Sequence, residues 1–438
     1  MNYISMKKIK VGVLGGYRGT SMINYCKIAD NADIVAICDN NKDVLNEQKK
    51  HCKDYNIAFY DNFKDFLCHE PDAVVLANYA NEHAPFAVAA MRAGKHVFSE
   101  VLPVQTMKEA VELIETAEET GMIYAYGENY CYMPATYEMK RLYKLNKIGE
   151  FEYGECEYIH NCEPIWADIT YGNKNHWRNN MYSTFYCTHS LGPLIHATSL
   201  RPVKVTGFES TMTERKLRNG AKGGLFGIEI VTLENGGIIK SIHGDLYKNS
   251  VWYSMYGSKG RMECPREDAE AEHISRIYVN CDDFSGEYKE RPIENYKLVR
   301  EHDSKCNNFG HGGSDYYVMY NFIEKILGHD ADIIDVYEAM DMFLPGMFAY
   351  RSILNGGKSM DIPNLRNKSE RNVYRNDTAC TDVNIANNML LPTCVSGTPN
   401  IDDNIYNAIK QKWIKNQRLD DGYRTRAFNQ NSKENDNL

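Results

Sequence analysis

The 438 residues are 43% hydrophobic and 25% charged, the balance of a globular protein rather than a disordered or fibrous one, and long enough for two or three domains. A formal net charge of -9 offers no broad basic surface for phosphates, so no nucleic-acid partner is expected. No run of about eighteen apolar residues is present to enter a membrane.

The amino terminus carries Lys7, Lys8 and Lys10 and runs directly into a strand-like stretch, so no secretory leader is expected. Thirteen cysteines, an odd number with no C-x-x-C pair, suit thiols kept reduced in a cytoplasm and give no metal-ligand spacing.

Lys10 to Leu14 reads as a short β-branched strand, followed at once by Gly15, Gly16 and Gly19 and a helix from Ser21 to Ala29. Strand, glycine turn and helix in that order let a pyrophosphate approach main-chain N–H groups at a helix start. A second strand, Ile34 to Cys38, ends in Asp39, twenty residues beyond Gly19. A carboxylate there accepts ribose hydroxyls and repels a 2′-phosphate, which selects NAD over NADP. The spacing G-G-x-x-G departs from G-x-G-x-x-G, so it is the joint context that carries the assignment.

Further β–α units follow. They comprise a strand at Ala73 to Leu76, a helix at Pro85 to Arg92 closed by Gly94, and a strand at His96 to Phe98. A helix opened by a Thr106/Glu109 capping box and a strand at Ile123 to Tyr126 complete the set. They predict a doubly wound parallel sheet over residues 1–132.

A helix opened by Pro134 leads into a different texture. Candidate strands are Phe151 to His160, Val203 to Ser210, Gly227 to Leu233, Ile238 to Gly244, Trp252 to Tyr256 and Gly260 to Glu263, with Asn235-Gly236 as a hairpin turn. An α+β domain with a large, open, mainly antiparallel sheet is expected over 133–365, its bare face a candidate surface for homo-oligomer formation. Residues 366–438 read as an extended arm with a helix near Asp402 to Lys415 and a disordered last stretch.

These motifs resemble the Gfo/Idh/MocA family over roughly residues 8 to 362. The resemblance rests on Gly15, Gly16, Gly19, Asp39, Asn81 with His83, and Gly94-Lys95-His96-Val97 with Glu100. It implies a Rossmann domain joined to an open sheet, with Tyr17, Arg18 and Asn129 joining those glycines, Asp39, Asn81, His83 and Glu100 around NAD. Two positions depart. Val101 stands where family dehydrogenases carry a lysine, and Phe185 stands four residues before His189 where they carry an aspartate.

One branch, the NAD-dependent glycosidases typified by α-N-acetylgalactosaminidase, is similar at Tyr158 with His160, at Tyr186 with His189, at His311-Gly312-Gly313 with Asp315, and at Asp335-Val336-Tyr337. That resemblance implies a recycled NAD that oxidises sugar C3, acidifies C2–H and permits elimination at C1. Hydration and re-reduction follow, with no paired carboxylates. It casts His189 as the base at C3, Tyr158 as the base at C2, and His160 or Tyr186 as orienting groups. Trp177, Arg178 and His311 are candidate substrate contacts for a carbohydrate. The alternatives are an ordinary NAD-dependent sugar or polyol dehydrogenase and a non-catalytic NAD-binding sensor.

Overall fold

Six strands, β1 (Ile9–Leu14), β2 (Ala32–Cys38), β3 (Ala58–Tyr60), β4 (Ala73–Leu76), β5 (His96–Ser99) and β6 (Tyr124–Tyr126), form one parallel sheet in the order β3-β2-β1-β4-β5-β6. In this computed structural model the described residues are 8–267, 274–281, 293–306 and 309–419. All four β4 residues are buried, as expected for a strand covered on both faces. The capping box forms as read: the Thr106 hydroxyl accepts from Glu109 N at 3.1 Å, and the Glu109 carboxylate accepts from Thr106 N at 3.2 Å. A helix at Lys42–His51, β3 and the short helix Phe63–Leu67 were not read from the sequence.

Contacts divide the chain into two units that are not contiguous in sequence. The first holds Met1–Tyr132, Phe309–Met340 and Asn364–Asp377; the second holds Met133–Asn308, Asp341–Pro363 and Thr378–Leu438. The linear division at 132 and 365 therefore misses two returns of the chain. In one, the Ser314–Ile326 helix packs on the Thr20–Ile28 helix through Tyr25 and Tyr316, ring centroids 5.1 Å apart, while Phe322 lies 5.8 Å from Phe98. In the other, Arg371 forks onto Glu118 at 2.8 and 2.9 Å. Arg375 forks onto Glu115 at 2.7 and 2.6 Å. Both carboxylates sit on the outer turns of the Met107–Thr120 helix, and partners more than 250 residues away leave no local signal.

The second unit is built on a nine-stranded sheet: β7 (Phe151–Ile159), β8 (Pro202–Glu209), β9 (Phe226–Leu233), β10 (Ile238–Gly244), β11 (Ser250–Gly257), β12 (Gly260–Glu263), β13 (Arg276–Cys281), β14 (Glu294–Lys297) and β15 (Met360–Asp361). Their order is β14-β13-β12-β11-β7-β10-β9-β8-β15. The hairpins pair antiparallel as read, but at the centre β7 and β10 run parallel, with His243 opposite Tyr158.

One face is covered by the Thr188–Thr198 helix, every residue of which is buried. Gly154 on β7 makes room for it, since a Cβ there would stand 2.6 Å from Leu194 Cδ2. Ser190 and Ser241 join helix to sheet through their hydroxyls at 2.8 Å. The opposite face is barer, with Phe208 53% and Tyr256 40% exposed.

The carboxyl-terminal segment is not a free arm. Its helix, Asp403–Leu419, packs on the second unit: Tyr406 donates to Gly220 O at 3.0 Å and Trp413 meets Tyr171 edge-on at 5.4 Å. The disorder expected for the last stretch lies outside the described residues. No described helix is long and apolar enough to cross a membrane.

Candidate functional site

In the first unit the glycine turn is fixed by crowding. Gly15 sits at φ +94°, and a Cβ there would come within 2.3 Å of Ala77 O on the neighbouring strand's exit. A Cβ on Gly19 would stand 2.5 Å from Gly15 O. Only glycine gives this turn both its left-handed bend and its close packing. Gly16 N donates to Asp39 Oδ2 at 2.9 Å, and Asn41 N donates to Oδ1 at 2.8 Å. Burial raises the Asp39 pKa against those two bonds. Each oxygen keeps a further lone pair for a ribose hydroxyl.

The Thr20–Ile28 helix has no side-chain cap at Gly19; Thr20 N donates to Tyr17 O at 3.3 Å, and the helix start beyond it presents N–H groups of the kind that receive an anion. These features fit NAD. Tyr17, 55% exposed on the same turn, is open to solvent.

Arg18 ties the turn to the far side of the sheet. Its guanidinium pairs with Glu100 at 2.7 Å and with Asp315 at 3.1 Å, both carboxylates being buried. Asn129 donates to Asp315 Oδ1 at 2.9 Å, and His311 Nδ1 lies 3.1 Å from the same oxygen. Burial opposes ionisation of Asp315, but Arg18 and His311 outweigh it and hold that carboxyl well below its usual range. His311, which burial alone would neutralise, is raised by Asp315. His311 thus belongs to the first unit, its ring 6.0 Å from that of Tyr130.

His83 is buried, donates from Nδ1 to Leu102 O at 2.8 Å and is pushed down to about 4 by burial. It braces the turn after Glu100 as a neutral ring. Among the described residues the buried Asn81 and Asn129 side-chain oxygens have no hydrogen-bond partner, which leaves acceptors for cofactor hydroxyl or amide groups.

The second unit gathers the other candidates into a chain of rings. Tyr158 and His160, two residues apart at the end of β7, place Oη 3.3 Å from Nδ1. The His189 ring, in the first turn of its helix, meets Tyr158 edge-on at 4.8 Å and Tyr186 at 5.1 Å. The Arg178 guanidinium lies over Tyr186 at 5.5 Å and over Trp177 at 4.6 Å. All six sequence candidates of this unit are therefore neighbours. The loop after β7 is pinned by Asp245, which accepts from Cys162 N at 3.0 Å and from Arg215 at 3.0 Å.

The two departures are filled by packed side chains. Val101 is buried, and Phe185 sits in an aromatic cluster with Tyr182 at 5.0 Å and Phe343 at 5.5 Å. Three supporting residues were not read from the sequence. Tyr253 donates its hydroxyl to His189 O and holds the helix start against β11. Glu229 and His243 are buried beneath that helix, with His243 Nδ1 4.0 Å from Glu229 Oε1. Burial raises Glu229 well above the carboxylate range and pushes His243 down to about 4, assisted by His189. The signal was present: alternation along β9 puts Glu229 on the same face as Val231 and Leu233.

Residues 9–128 match the family model of the Gfo/Idh/MocA oxidoreductases, NAD-binding Rossmann fold, and residues 250–370 match that of the glycosyl hydrolase 109 C-terminal domain. The chain joins a Gfo/Idh/MocA NAD-binding domain to a glycosyl hydrolase 109 C-terminal domain. It is 26% identical to a glycosyl hydrolase family 109 protein of Solibacter usitatus, over 82% of this chain and 88% of that one. It is 27% identical to an α-N-acetylgalactosaminidase of Tannerella forsythia, over 82% and 86%.

Among solved structures, an inositol dehydrogenase homologue from Azotobacter vinelandii complexed with NAD+ superposes with a TM-score of 0.64 at 14% identity, over 81% of this chain and 98% of that one. That likeness is one of fold. The chain is thus of the oxidoreductase-fold, NAD-binding type with glycosidase homologues. The residues around His189 fall between the two matched ranges, so their roles rest on their geometry.

Proposed function

We propose that this glycosyl hydrolase 109-type protein cleaves a glycoside by transient oxidation at sugar C3, with NAD regenerated in each cycle. The observation that supports it is the ring chain around His189: a histidine flanked by two tyrosines, one of them hydrogen-bonded to a second histidine. Bound NAD supplies a reversible acceptor for the hydrogen and two electrons of a C3–H bond. Gly15, Gly16, Gly19 and Asp39 hold its adenosine and pyrophosphate end, while Arg18, Glu100 and Asp315 keep the turn rigid.

His189 takes the proton of the C3 hydroxyl as the ketone forms. Tyr158 takes the acidified C2 proton; His160, 3.3 Å away, receives the phenolic proton that readies it. The C1 substituent would then leave with a proton as the C1–C2 double bond forms, water would add across that bond, and the hydrogen and two electrons taken from C3 would be returned to the ketone by the cofactor that Gly15, Gly16, Gly19 and Asp39 would hold. Tyr186 orients the sugar.

The first unit serves as the cofactor unit and the second as the substrate unit. The barer face of the nine-stranded sheet, with Phe208 and Tyr256, is the surface we assign to self-association. No disulfide joins the cysteines among the described residues, which suits a reducing cytoplasm. A small carbohydrate, not nucleic acid or a membrane, is the assigned partner.

The test is incubation of the NAD-loaded protein with α- and β-aryl glycosides in heavy water. Deuterium at C2 of the released sugar is expected, with no net NADH. Accumulating NADH without cleavage would assign the protein instead to the sugar dehydrogenases, and neither cleavage nor exchange would leave NAD binding as its sole activity.

A further inference from the structure

Residues 163–180, which deliver Trp177 and Arg178 to the ring chain of the substrate unit, are too short in their helical pieces to hold their own shape. They comprise single turns at Glu163–Ile165 and Trp177–Asn180 and five helical residues at Trp166–Thr170. Between them the backbone bends left-handed at Tyr171 and Gly172, with φ of +57° and +66°. Such pieces persist only when packed from outside, and a left-handed tyrosine is disfavoured on its own. The outside packing comes from the carboxyl-terminal helix Asp403–Leu419, which follows both ranges matched by the family models. A Cβ on Gly172 would stand 2.5 Å from Lys410 N, so the helix backbone rests directly on the bend. Asp403, at the helix start, meets Lys174 at 3.1 Å, Asn416 donates to both Asp168 oxygens at 3.2 Å, and Trp413 meets Tyr171 edge-on at 5.4 Å.

From Tyr171 the contact passes on through rings. Tyr171 lies edge-on to His176 at 6.3 Å, and His176 stacks on Trp177 at 6.1 Å. Trp177 in turn carries the Arg178 guanidinium, which also lies over Tyr186, the ring beside His189. The ring chain around His189 is therefore continuous with Trp413 on the carboxyl-terminal helix. His176 fixes the backbone as well: its Nδ1 accepts from Arg178 N at 3.3 Å and caps the turn that bears Trp177 and Arg178. Burial, together with the Arg178 charge, pushes His176 down to about 4, so the ring stays neutral and Nδ1 keeps its lone pair. A ring buried to this degree and wedged between Tyr171 and Trp177 transmits a displacement of one to the other, because close-packed interiors yield little.

We propose that His176 and Trp413 are positioning residues of the substrate site: the carboxyl-terminal helix clamps Tyr171, and His176 passes that clamp to the turn presenting Trp177 and Arg178, which sets how tightly the sugar is held. The inference rests on the redox-glycosidase reading for the reaction but concerns what holds the sugar-facing turn in place.

The test measures binding of α- and β-aryl glycosides to the NAD-loaded full-length protein by calorimetry, and C2 exchange in heavy water. His176→Ala, which removes a cap, should weaken glycoside binding about fivefold and Trp413→Ala about threefold, with exchange at saturating glycoside within about twofold of the unsubstituted protein. NAD affinity should not change. His176→Asn, which can still accept from Arg178 N, and Trp413→Phe, which keeps a ring against Tyr171, should each recover most of the binding. The chain has four tryptophans, so fluorotryptophan labelling gives a spectrum that is assigned by replacing each in turn with phenylalanine. Trp413→Ala should move the Trp177 resonance and leave that of Trp252, which lies in β11 beneath the Arg266 guanidinium at 4.2 Å. Because Trp413 is on the outer helix, its variant decides the matter even where His176→Ala lowers Tm.

An unmoved Trp177 resonance, unchanged binding in both alanine variants, or an equal loss in the Asn and Phe variants would overturn the proposal. Weakened binding with the fluorine shift, but no C2 exchange on any glycoside by the unsubstituted protein, would overturn the redox reading alone. Exchange by the unsubstituted protein with binding unaltered in every variant would overturn this one alone, and no glycoside binding by the unsubstituted protein would overturn both.

Discussion

The two units handle buried charge in opposite ways. In the cofactor unit the cation on the glycine turn is matched: Arg18 spans Glu100 and Asp315, and Asp315 also holds Asn129 and His311. In the second unit burial pushes the Glu229 carboxyl up and the His243 ring down, and among the described residues the Arg178 guanidinium meets no carboxylate while lying over two rings. A closed ionic network holds a turn rigid, whereas polar groups the protein leaves unmatched can be satisfied by a ligand.

The sharpest way to break this contrast is His189→Ala. Glycoside cleavage and C2 exchange in heavy water should fall by about 10³-fold, within the range for removing a general base. The fold should persist, because Tyr253 holds the helix start through the His189 carbonyl, which the substitution keeps. A variant that keeps its rate would remove the ring chain from the chemistry.

Asp315→Ala attacks the other half. It leaves Arg18 with one carboxylate and His311 with none, so urea unfolding should show a loss of about 3–5 kcal/mol, the usual cost of breaking a buried pair. A loss under about 1 kcal/mol, in the range of exposed pairs, would show that solvent screens the network.

Asp39→Asn should lower NAD affinity about tenfold and narrow the preference over NADP, measured by fluorescence titration, since a neutral amide neither accepts as strongly nor repels a phosphate. Unchanged discrimination would move cofactor selection away from this residue.

The smallest effect concerns Glu229. Its folded pKa is raised, so the folded state binds a proton that the unfolded chain releases above its ordinary value near 4.3. Its contribution is full below that pH and is lost as pH rises, by about 1.4 kcal/mol per unit until the folded pKa is reached. Glu229→Gln, which cannot ionise, should therefore raise Tm more at pH 8 than at pH 5. An equal shift at both values would mean the carboxyl is already ionised in the fold. His243, pushed down to about 4, acts with the opposite sign: it favours the fold above its ordinary value near 6.5, and that contribution fades on acidification.

Much of this was legible in the chain. The glycine turn, Asp39, the Thr106/Glu109 capping box and the alternating strands of the second unit are local patterns, and backbone sterics and side-chain periodicity convert them directly into structure. Tyr158 and His160 share a face because they are two residues apart on a strand, and Tyr186 meets His189 because three residues bring them round one turn. The branch motifs marked the same residues.

Other features depended on partners far away in sequence. Only tertiary structure drew His311 and Asp315 onto Arg18, nearly 300 residues earlier, and returned 364–377 to the first unit through Arg371 and Arg375. The same holds for the parallel register of β7 and β10, which sets His243 beside Tyr158, and for the burial of Glu229. NAD as cofactor was thus determined by local sequence, because a phosphate turn is made of neighbours. The charge state of the residues around it was decided by the fold, because burial and ion pairing depend on what the whole chain brings near.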